Sequence, residues 1–282
     1  MNTLEWTFLI WLGSLVAGFL GSLTGLGGGI VVVPMLALGF GVDIRYAAGA
    51  SLIAVIATSS GASAAYVKEG FSNIRIGTFL EVATTLGALV GAVATSILST
   101  RSISVIFGII LVYSGFLSVR RWKEQGEIPW ESRPPDPWAM RLKLNGSYPI
   151  AVGSRSYEAQ NVATGFAMMF GAGVLSGLLG IGSGAMKVLA MDQTMRLPFK
   201  VSTTTSNFMI GVTAAASAGV YLHLGYIDPG LAMPVMLGVL PGALLGARRL
   251  VCARPRDLRI LFTVVLLALA FEMIYKGLSG GL

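Results

Sequence analysis

The sequence predicts an all-α polytopic membrane protein built from two inverted repeats, each a glycine-broken re-entrant hairpin followed by three transmembrane helices. The first observation is composition: 54% of the 282 residues are hydrophobic and only 12% are charged. The second is a glycine cluster inside each of two long apolar runs, and the third is a match between the two halves of the chain. Several apolar runs reach the length of about 20 residues that crosses a bilayer. A soluble domain of this size has no need of such runs.

Charge and cysteine usage exclude other classes. The net charge is +7, but nearly all basic residues lie in loops between apolar runs. That arrangement is typical of membrane orientation and not of nucleic-acid binding, so the lipid bilayer is the expected environment. A single cysteine, Cys252, and a single histidine, His223, exclude a disulfide framework and disfavour a His/Cys metal site. We expect no cofactor.

The chain divides into apolar segments and one polar linker. Composition predicts a first repeat over residues 1–121, a cytoplasmic linker over 122–160 and a second repeat over 161–282. The first segment begins near Leu4 without a basic region ahead of it, so we expect it to be the first membrane segment and not a signal peptide. The predicted segments are 4–42, 46–67, 76–98, 102–119, 162–197, 201–222, 229–245 and 258–275.

The two halves match at one constant offset of 155 residues without a gap. Gly27 and Gly29 correspond to Gly182 and Gly184 in this register, and the match extends over more than 80 residues. Further matched pairs are Ala17 with Ala172, Ser51 with Ser206, Thr58 with Thr213, Tyr66 with Tyr221, Gly87 with Gly242 and Arg101 with Arg256. The chain is therefore interpreted as an internal duplication.

Charge distribution orients the repeats. If each broken segment crossed once, lysines and arginines would divide almost evenly between the two faces, against the positive-inside rule. If each broken segment enters and leaves on one face, sixteen basic residues lie on the linker side and three, Arg45, Arg101 and Lys276, on the other. The second arrangement predicts inverted repeats, a cytoplasmic linker and outward-facing termini.

The glycine clusters are candidate binding elements. Glycine in a helix interior costs about 1 kcal/mol relative to alanine, so a cluster marks a helix break that exposes peptide groups. Inside the membrane such a break is tolerated only where protein or a water-filled cavity covers it. Helix ends at the break present free N–H groups and favour anions. The predicted binding positions are Gly27, Gly28, Gly29, Gly182, Ser183 and Gly184.

Lys187 is the most distinctive single residue. It lies three residues beyond Gly184 in an apolar run, where the first repeat has Val32. A buried ammonium is costly without an anion, a carboxylate or water, so a substrate-binding role is favoured. The alternatives are that Lys187 pairs with Asp192 or extends to the cytoplasmic face.

A polar helix face follows in the second repeat. Thr203, Ser206 and Asn207 share one face of the predicted helix, and Ser51 is the counterpart of Ser206 in the first repeat. We expect these side chains to contribute to the binding site. Close helix packing is the alternative for the threonines, since small hydroxylated residues allow helices to approach. Glu81 is considered as a proton carrier, but an interfacial carboxylate is favoured.

The repeated motifs resemble those of the sulfite exporter TauE/SafE family, also called the TSUP family of membrane permeases. The similarity rests on AGFLGSLTGLGGGIVVVPML, the EGFSNIRIG turn and STTTSNFMIGVTAAASAGVYLHLGYID, and it covers both repeats. It implies a multi-pass transporter of the cell membrane for small sulfur-containing anions such as sulfite and sulfonates, with sulfoacetate among the family's substrates. Ser183 departs from the motif, since glycine is common there.

The functional hypothesis is a secondary transporter, not an enzyme, that exports small sulfur anions. An inside-negative potential expels an anion with about 2.3 kcal/mol per charge per 100 mV, so a coupled ion is not required, and the sequence shows no clear site for one. The alternatives are an anion channel and a transporter of a non-sulfur organic anion. A homodimer is also considered.

Overall fold

The computed structural model describes residues 3–24, 27–68, 70–99, 136–150 and 153–252, together with individual positions within 102–116 and 260–271. About half of the positions in the predicted fourth and eighth segments therefore fall outside the described residues. So do Gly25 and, within the 122–160 linker, residues 122–135 and 151–152.

The described part of the chain is mostly helical. Two of the helices, Gly29–Pro34 and Gly184–Leu189, continue directly into π-helical turns at Met35–Gly39 and Ala190–Thr194. The elements in chain order are α1 Thr3–Thr24, α2 Gly29–Pro34, α3 Ile44–Lys68, α4 Ile74–Ala94, α5 Pro137–Arg141, β1 Gly146–Pro149, β2 Ser154–Tyr157, α6 Val162–Leu179, α7 Gly184–Leu189, α8 Phe199–His223 and α9 Pro229–Cys252.

Four of the described helices, α1, α4, α6 and α9, contain stretches long and apolar enough to cross a membrane. These stretches are Leu4–Leu23, Ile74–Ala94, Val162–Leu179 and Pro229–Arg249. Their outer faces expose large apolar side chains such as Phe8, Leu86 and Leu237, as a lipid-facing surface does. The predicted helical membrane fold is confirmed at this level. The helices α3 and α8 are as long but less apolar, because their buried faces carry small and hydroxylated residues.

The linker contains strands, which an all-α prediction misses. Strands β1 and β2 form an antiparallel pair with Gly146 opposite Tyr157. Each strand is only four residues long and lies in a polar stretch, so no apolar alternation marks it. The hairpin contacts the start of α4, where Asn73 Nδ2 donates to the Tyr157 hydroxyl at 2.8 Å. Burial raises the pKa of that hydroxyl, and the hydrogen bond from Asn73 opposes the shift.

The two repeats pack on each other reciprocally. A Cβ added to Gly18 on α1 would lie 2.3 Å from the Val239 carbonyl oxygen on α9. A Cβ added to Gly173 on α6 would lie 2.1 Å from the backbone carbonyl oxygen of Thr84 on α4. Gly18 and Gly173, and likewise Thr84 and Val239, are separated by the same offset of 155 residues. The α1–α9 and α6–α4 contacts are therefore two copies of one interface, and glycine permits the close approach in both.

The two ends of each broken segment lie close together in space. In the second repeat the Gln160 N–H donates to the Met195 carbonyl at 3.1 Å, and Asn161 Nδ2 donates to the Thr194 carbonyl at 3.1 Å. The chain thus enters at the start of α6 and returns beside its starting point. In the first repeat the rings of Trp6 and Phe40 meet edge to face, with centroids 5.9 Å apart.

Candidate functional site

The two glycine breaks meet inside the helix bundle. A Cβ on Gly29 would lie 3.2 Å from the Ile181 Cα of the other break. Gly27 and Gly182 both adjoin the same two side chains, Val55 on α3 and Ile210 on α8. Val55 and Ile210 are themselves equivalent positions of the two repeats. The two breaks therefore lie on either side of a point at which equivalent residues of the two halves of the chain meet. We call this point the junction.

The backbone at the breaks requires glycine at specific places. Gly27 and Gly182 have positive φ values of 66° and 72°. A Cβ on Gly182 would also lie 2.5 Å from Ile210 Cγ2, so both backbone conformation and space favour glycine. The breaks differ at the next residue: Gly28 has φ −45°, whereas its counterpart Ser183 has φ 50°. Ser183 is thus a non-glycine residue in the left-handed region.

Buried hydroxyl groups surround the junction. A Cβ on Gly29 would lie 2.5 Å from Ser51 Oγ on α3, and Ser206 Oγ on α8 donates to the Gly184 carbonyl at 3.4 Å. Ser51, Ser183 and Thr203 are buried, and their hydroxyl oxygens have no hydrogen-bond partner within the described residues. Buried polar atoms are normally paired, so these hydroxyls are candidates for contact with a bound molecule.

Asn207 connects α8 to the first repeat. Its Nδ2 donates to the Ser22 carbonyl at 3.3 Å, and its backbone oxygen accepts from Ser59 Oγ at 2.5 Å. Its Oδ1 is buried without a partner in the described part of the chain. The neighbouring threonines hold α8 against the start of α4. Thr204 Oγ1 donates to the Phe71 carbonyl at 3.0 Å, and Thr205 Oγ1 accepts from the Asn73 N–H at 3.0 Å. These contacts agree with the alternative that the threonines serve helix packing.

Lys187 forms a three-residue cluster with Thr213 and Glu81. Its side chain is 0% exposed, so the interpretation that it extends to the cytoplasmic face is wrong. Lys187 Nζ donates to Thr213 Oγ1 and lies 3.6 Å from Glu81 Oε2. Thr213 Oγ1 in turn donates to Glu81 Oε1 at 2.5 Å. The ion-pair partner of Lys187 is thus on α4 of the other repeat.

Glu81 is the residue that sequence reasoning placed incorrectly. It was expected to be an interfacial carboxylate, but it is only 8% exposed. The local sequence could not reveal its partner, which lies 106 positions away on another helix. One signal was available: Glu81 and Lys187 are charges of opposite sign within apolar segments, where an unpaired charge is costly.

The cluster and the junction are adjoining parts of one buried region. Lys187 lies one helical turn beyond Gly184, and Ser206 and Thr213 lie two turns apart on α8. The residues predicted to bind substrate are all buried in this conformation. Because Glu81 balances its charge, Lys187 attracts an external anion only where that anion replaces or shares the carboxylate.

Comparisons with known proteins identify relatives among membrane proteins. A family model for the sulfite exporter TauE/SafE matches residues 10–273. The chain is 27% identical over 282 residues to the probable membrane transporter protein YunE of Bacillus subtilis (strain 168), covering 98% of this chain and 99% of that protein. It is 26% identical over 238 residues to the probable membrane transporter protein YdhB of the same organism, covering 83% of this chain and 84% of that protein.

No solved structure matches the chain significantly. Both relatives are named as membrane transporters and not as enzymes. Since the family model covers nearly the whole chain, including both glycine breaks and the Lys187–Thr213–Glu81 cluster, the protein belongs to the sulfite exporter TauE/SafE family of membrane transporters.

Proposed function

We propose that the protein is a secondary transporter that exports small sulfur-containing anions, such as sulfite and sulfonates including sulfoacetate, across the cell membrane. The observation that carries the proposal is the set of buried hydroxyls without partners where the two glycine breaks meet. A sulfite or sulfonate group has several oxygen acceptors and needs several donors. The hydroxyls of Ser51, Ser183 and Thr203 can donate to it.

A carrier mechanism fits the burial of the site better than a channel does. The candidate residues are buried, so an anion reaches them when one part of the molecule moves relative to another. Reciprocal packing of equivalent helices offers such a motion, because one repeat can rock against the other around the junction. Access would then alternate between the two faces.

We also propose that the repeats are inverted and that the linker is cytoplasmic. Contacts between α4 and α8 support this orientation: Gly77 adjoins Phe208, and Glu81 bonds Thr213, so residue numbers rise together along both helices. Because α4 starts beside the linker hairpin, α8 starts on that same face. Arg75, Lys200 and Arg248 lie toward the linker face, whereas Arg45 at the start of α3 contacts Leu98 and Tyr226 beyond the other end of α4. The positive-inside rule then makes the linker face cytoplasmic.

Flux measurements in proteoliposomes test the proposed function. The purified full-length chain should give saturable flux of labelled sulfite or sulfoacetate, accelerated by unlabelled substrate on the opposite side, which a channel does not show. The double variant Ser51→Ala/Ser206→Ala should lose most of this flux, because both serines border the junction.

Ser217→Ala is the matched control. Ser217 is also a buried serine without a described partner and lies on the same helix as Ser206, three turns away from the junction. Its variant should retain flux. Equal losses in the two variants, or absence of sulfur-anion flux in the unmodified protein, would contradict the proposal. The homodimer stays a prediction, to be checked by light scattering of the detergent-solubilised protein.

A further inference from the structure

The Lys187–Thr213–Glu81 cluster joins three helices from both repeats. Lys187 is on α7 and Thr213 on α8, both in the second repeat, whereas Glu81 is on α4 in the first. A motion of one repeat against the other would therefore act directly on this ion pair. Glu81 Oε1 accepts hydrogen bonds from Thr213 and, at 3.2 Å, from Thr85. Glu81 Oε2 accepts none from the described residues and faces the ammonium at 3.6 Å.

Few other ionisable groups in the described part of the chain can balance the negative charge of the Glu81 carboxylate. The α6 helix, which packs along α4, contains no titratable side chain. On α8 the group that faces Glu81 is the Thr213 hydroxyl, and Lys200 and His223 lie at the two ends of that helix. The α7 helix contributes Lys187, and its π-helical continuation contains Asp192. The single cation recorded beside Glu81 in the described part of the chain is Lys187.

An anion that binds Lys187 would therefore deprive Glu81 of its counter-charge. A buried carboxylate without a cation is strongly disfavoured, and it becomes neutral by taking a proton. We propose that Glu81 is a proton-binding site, taking up one proton for each anion that replaces it at Lys187, so that anion transport is coupled to protons. This inference rests on the proposed anion-transport function, and it supplies the coupling site that the sequence alone does not reveal.

The step balances in charge and atoms. The Glu81 carboxylate gains a proton and becomes a carboxylic acid, while Lys187 stays an ammonium and exchanges Glu81 for the bound anion. For a monovalent anion the cluster is neutral both empty and loaded. For sulfoacetate, which has two negative charges, the loaded cluster keeps one negative charge. An inside-negative membrane potential would then still favour export.

Proton movement can be measured directly in proteoliposomes containing the full chain. A pH-sensitive dye is trapped inside, the membrane potential is clamped with potassium and valinomycin, and labelled sulfoacetate is added outside. We expect the lumen to acidify as sulfoacetate enters, with about one proton for each molecule, as one titrating carboxylate predicts. This stoichiometry on the unmodified protein needs no variant.

Glu81→Gln separates two kinds of flux. Glutamine imitates the protonated acid, so sulfoacetate-for-sulfoacetate exchange should continue and should no longer depend on pH. Net uptake requires the empty protein to return with Lys187 unpaired. It should therefore fall by about tenfold or more, since each 1.4 kcal/mol is a factor of ten. Glu158→Gln, the same change at an exposed carboxylate of the linker, should alter neither flux.

Each outcome bears on a different proposition. Sulfoacetate flux without acidification in the unmodified protein overturns the coupling and leaves the transport function standing. No sulfoacetate flux overturns both. If the lumen acidifies equally fast with the Glu81→Gln protein and with the unmodified protein, Glu81 is not the proton-binding site. If Glu81→Gln does not fold, Glu81→Asp replaces it: the shorter carboxylate should keep the coupling and change its pH dependence, and unchanged pH dependence contradicts the proposal.

Discussion

The Lys187–Thr213–Glu81 cluster and its counterpart in the other repeat share a backbone scaffold but differ in charge. The offset of 155 residues places Val32, Thr58 and Met236 at the corresponding positions. Val32 is buried in the apolar core, with Met236 packed against that core, and Thr58 Oγ1 donates to the Ala54 carbonyl of its own helix at 2.7 Å. One copy thus holds an ion pair where the other holds hydrocarbon. If the chain is a duplication, as the constant offset predicts, the two copies have diverged in charge at this place.

The largest expected effect comes from removing the charge that distinguishes the two regions. Lys187→Met should reduce sulfoacetate exchange by about a hundredfold or more, because truncating one partner of a buried charge pair costs about 3 kcal/mol or more. The measurement is labelled exchange in proteoliposomes, normalised to folded protein. Val32→Met places the same side chain at the equivalent position and should keep most of the flux. Full exchange by the Lys187→Met protein would exclude Lys187 from the site.

Making the charged region resemble the apolar one should separate stability from transport. Glu81→Met alone leaves Lys187 as an uncompensated buried charge and should destabilise the protein by about 3–5 kcal/mol. The double variant Glu81→Met/Lys187→Val reproduces the Met236 and Val32 pair, and it should recover most of that loss, since apolar replacements of buried ion pairs are often neutral or stabilising. Thermal unfolding in detergent measures the recovery. Transport should stay absent, and an active double variant would show that the ion pair is dispensable.

Loss of the hydroxyl should lower the free energy of unfolding more at Thr213 than at its counterpart Thr58. Thr213→Val removes the group that accepts from Lys187 and donates to Glu81, and it should cost about 1–3 kcal/mol, as loss of hydrogen bonds to buried charges does. Thr58→Val removes a bond to its own helix backbone and should cost about 1 kcal/mol or less. Thermal unfolding of the two variants gives the difference, and equal shifts would mean that Thr213 does not stabilise the ion pair.

The smallest effect is expected at the glycine breaks. Ser183 has φ 50°, in the region that favours glycine, whereas Gly28 does not. Ser183→Gly should relieve about 1 kcal/mol of backbone strain, offset in part by the greater freedom of glycine in the unfolded chain. A modest rise in the unfolding midpoint is expected. If Ser183 also contacts the anion, the same variant should show a higher KM for sulfoacetate, which strain relief alone would not produce.

Several residues of the candidate site could be proposed from local sequence. Each of these residues departs from its local pattern. Lys187 is a charge in an apolar run, Ser206 lies on a polar helix face, and the glycines form clusters of helix breakers. Local sequence predicts an interfacial position for Glu81, whereas its burial depends on the contacts of α4 with Lys187 of α7 and Thr213 of α8. The β1–β2 hairpin was missed because four-residue polar strands have no periodic signal.

The sequence by itself determined the membrane class, the glycine breaks and the family, and it predicts a duplication, since these depend on composition and on spacing along the chain. Only the tertiary structure decided which groups meet: Gly29 with Ile181, Asn207 with Ser22, and Lys187 with Glu81. The physical reason is that these contacts join residues of different repeats. Side-chain packing between distant segments selects such partners, and no local periodicity records it.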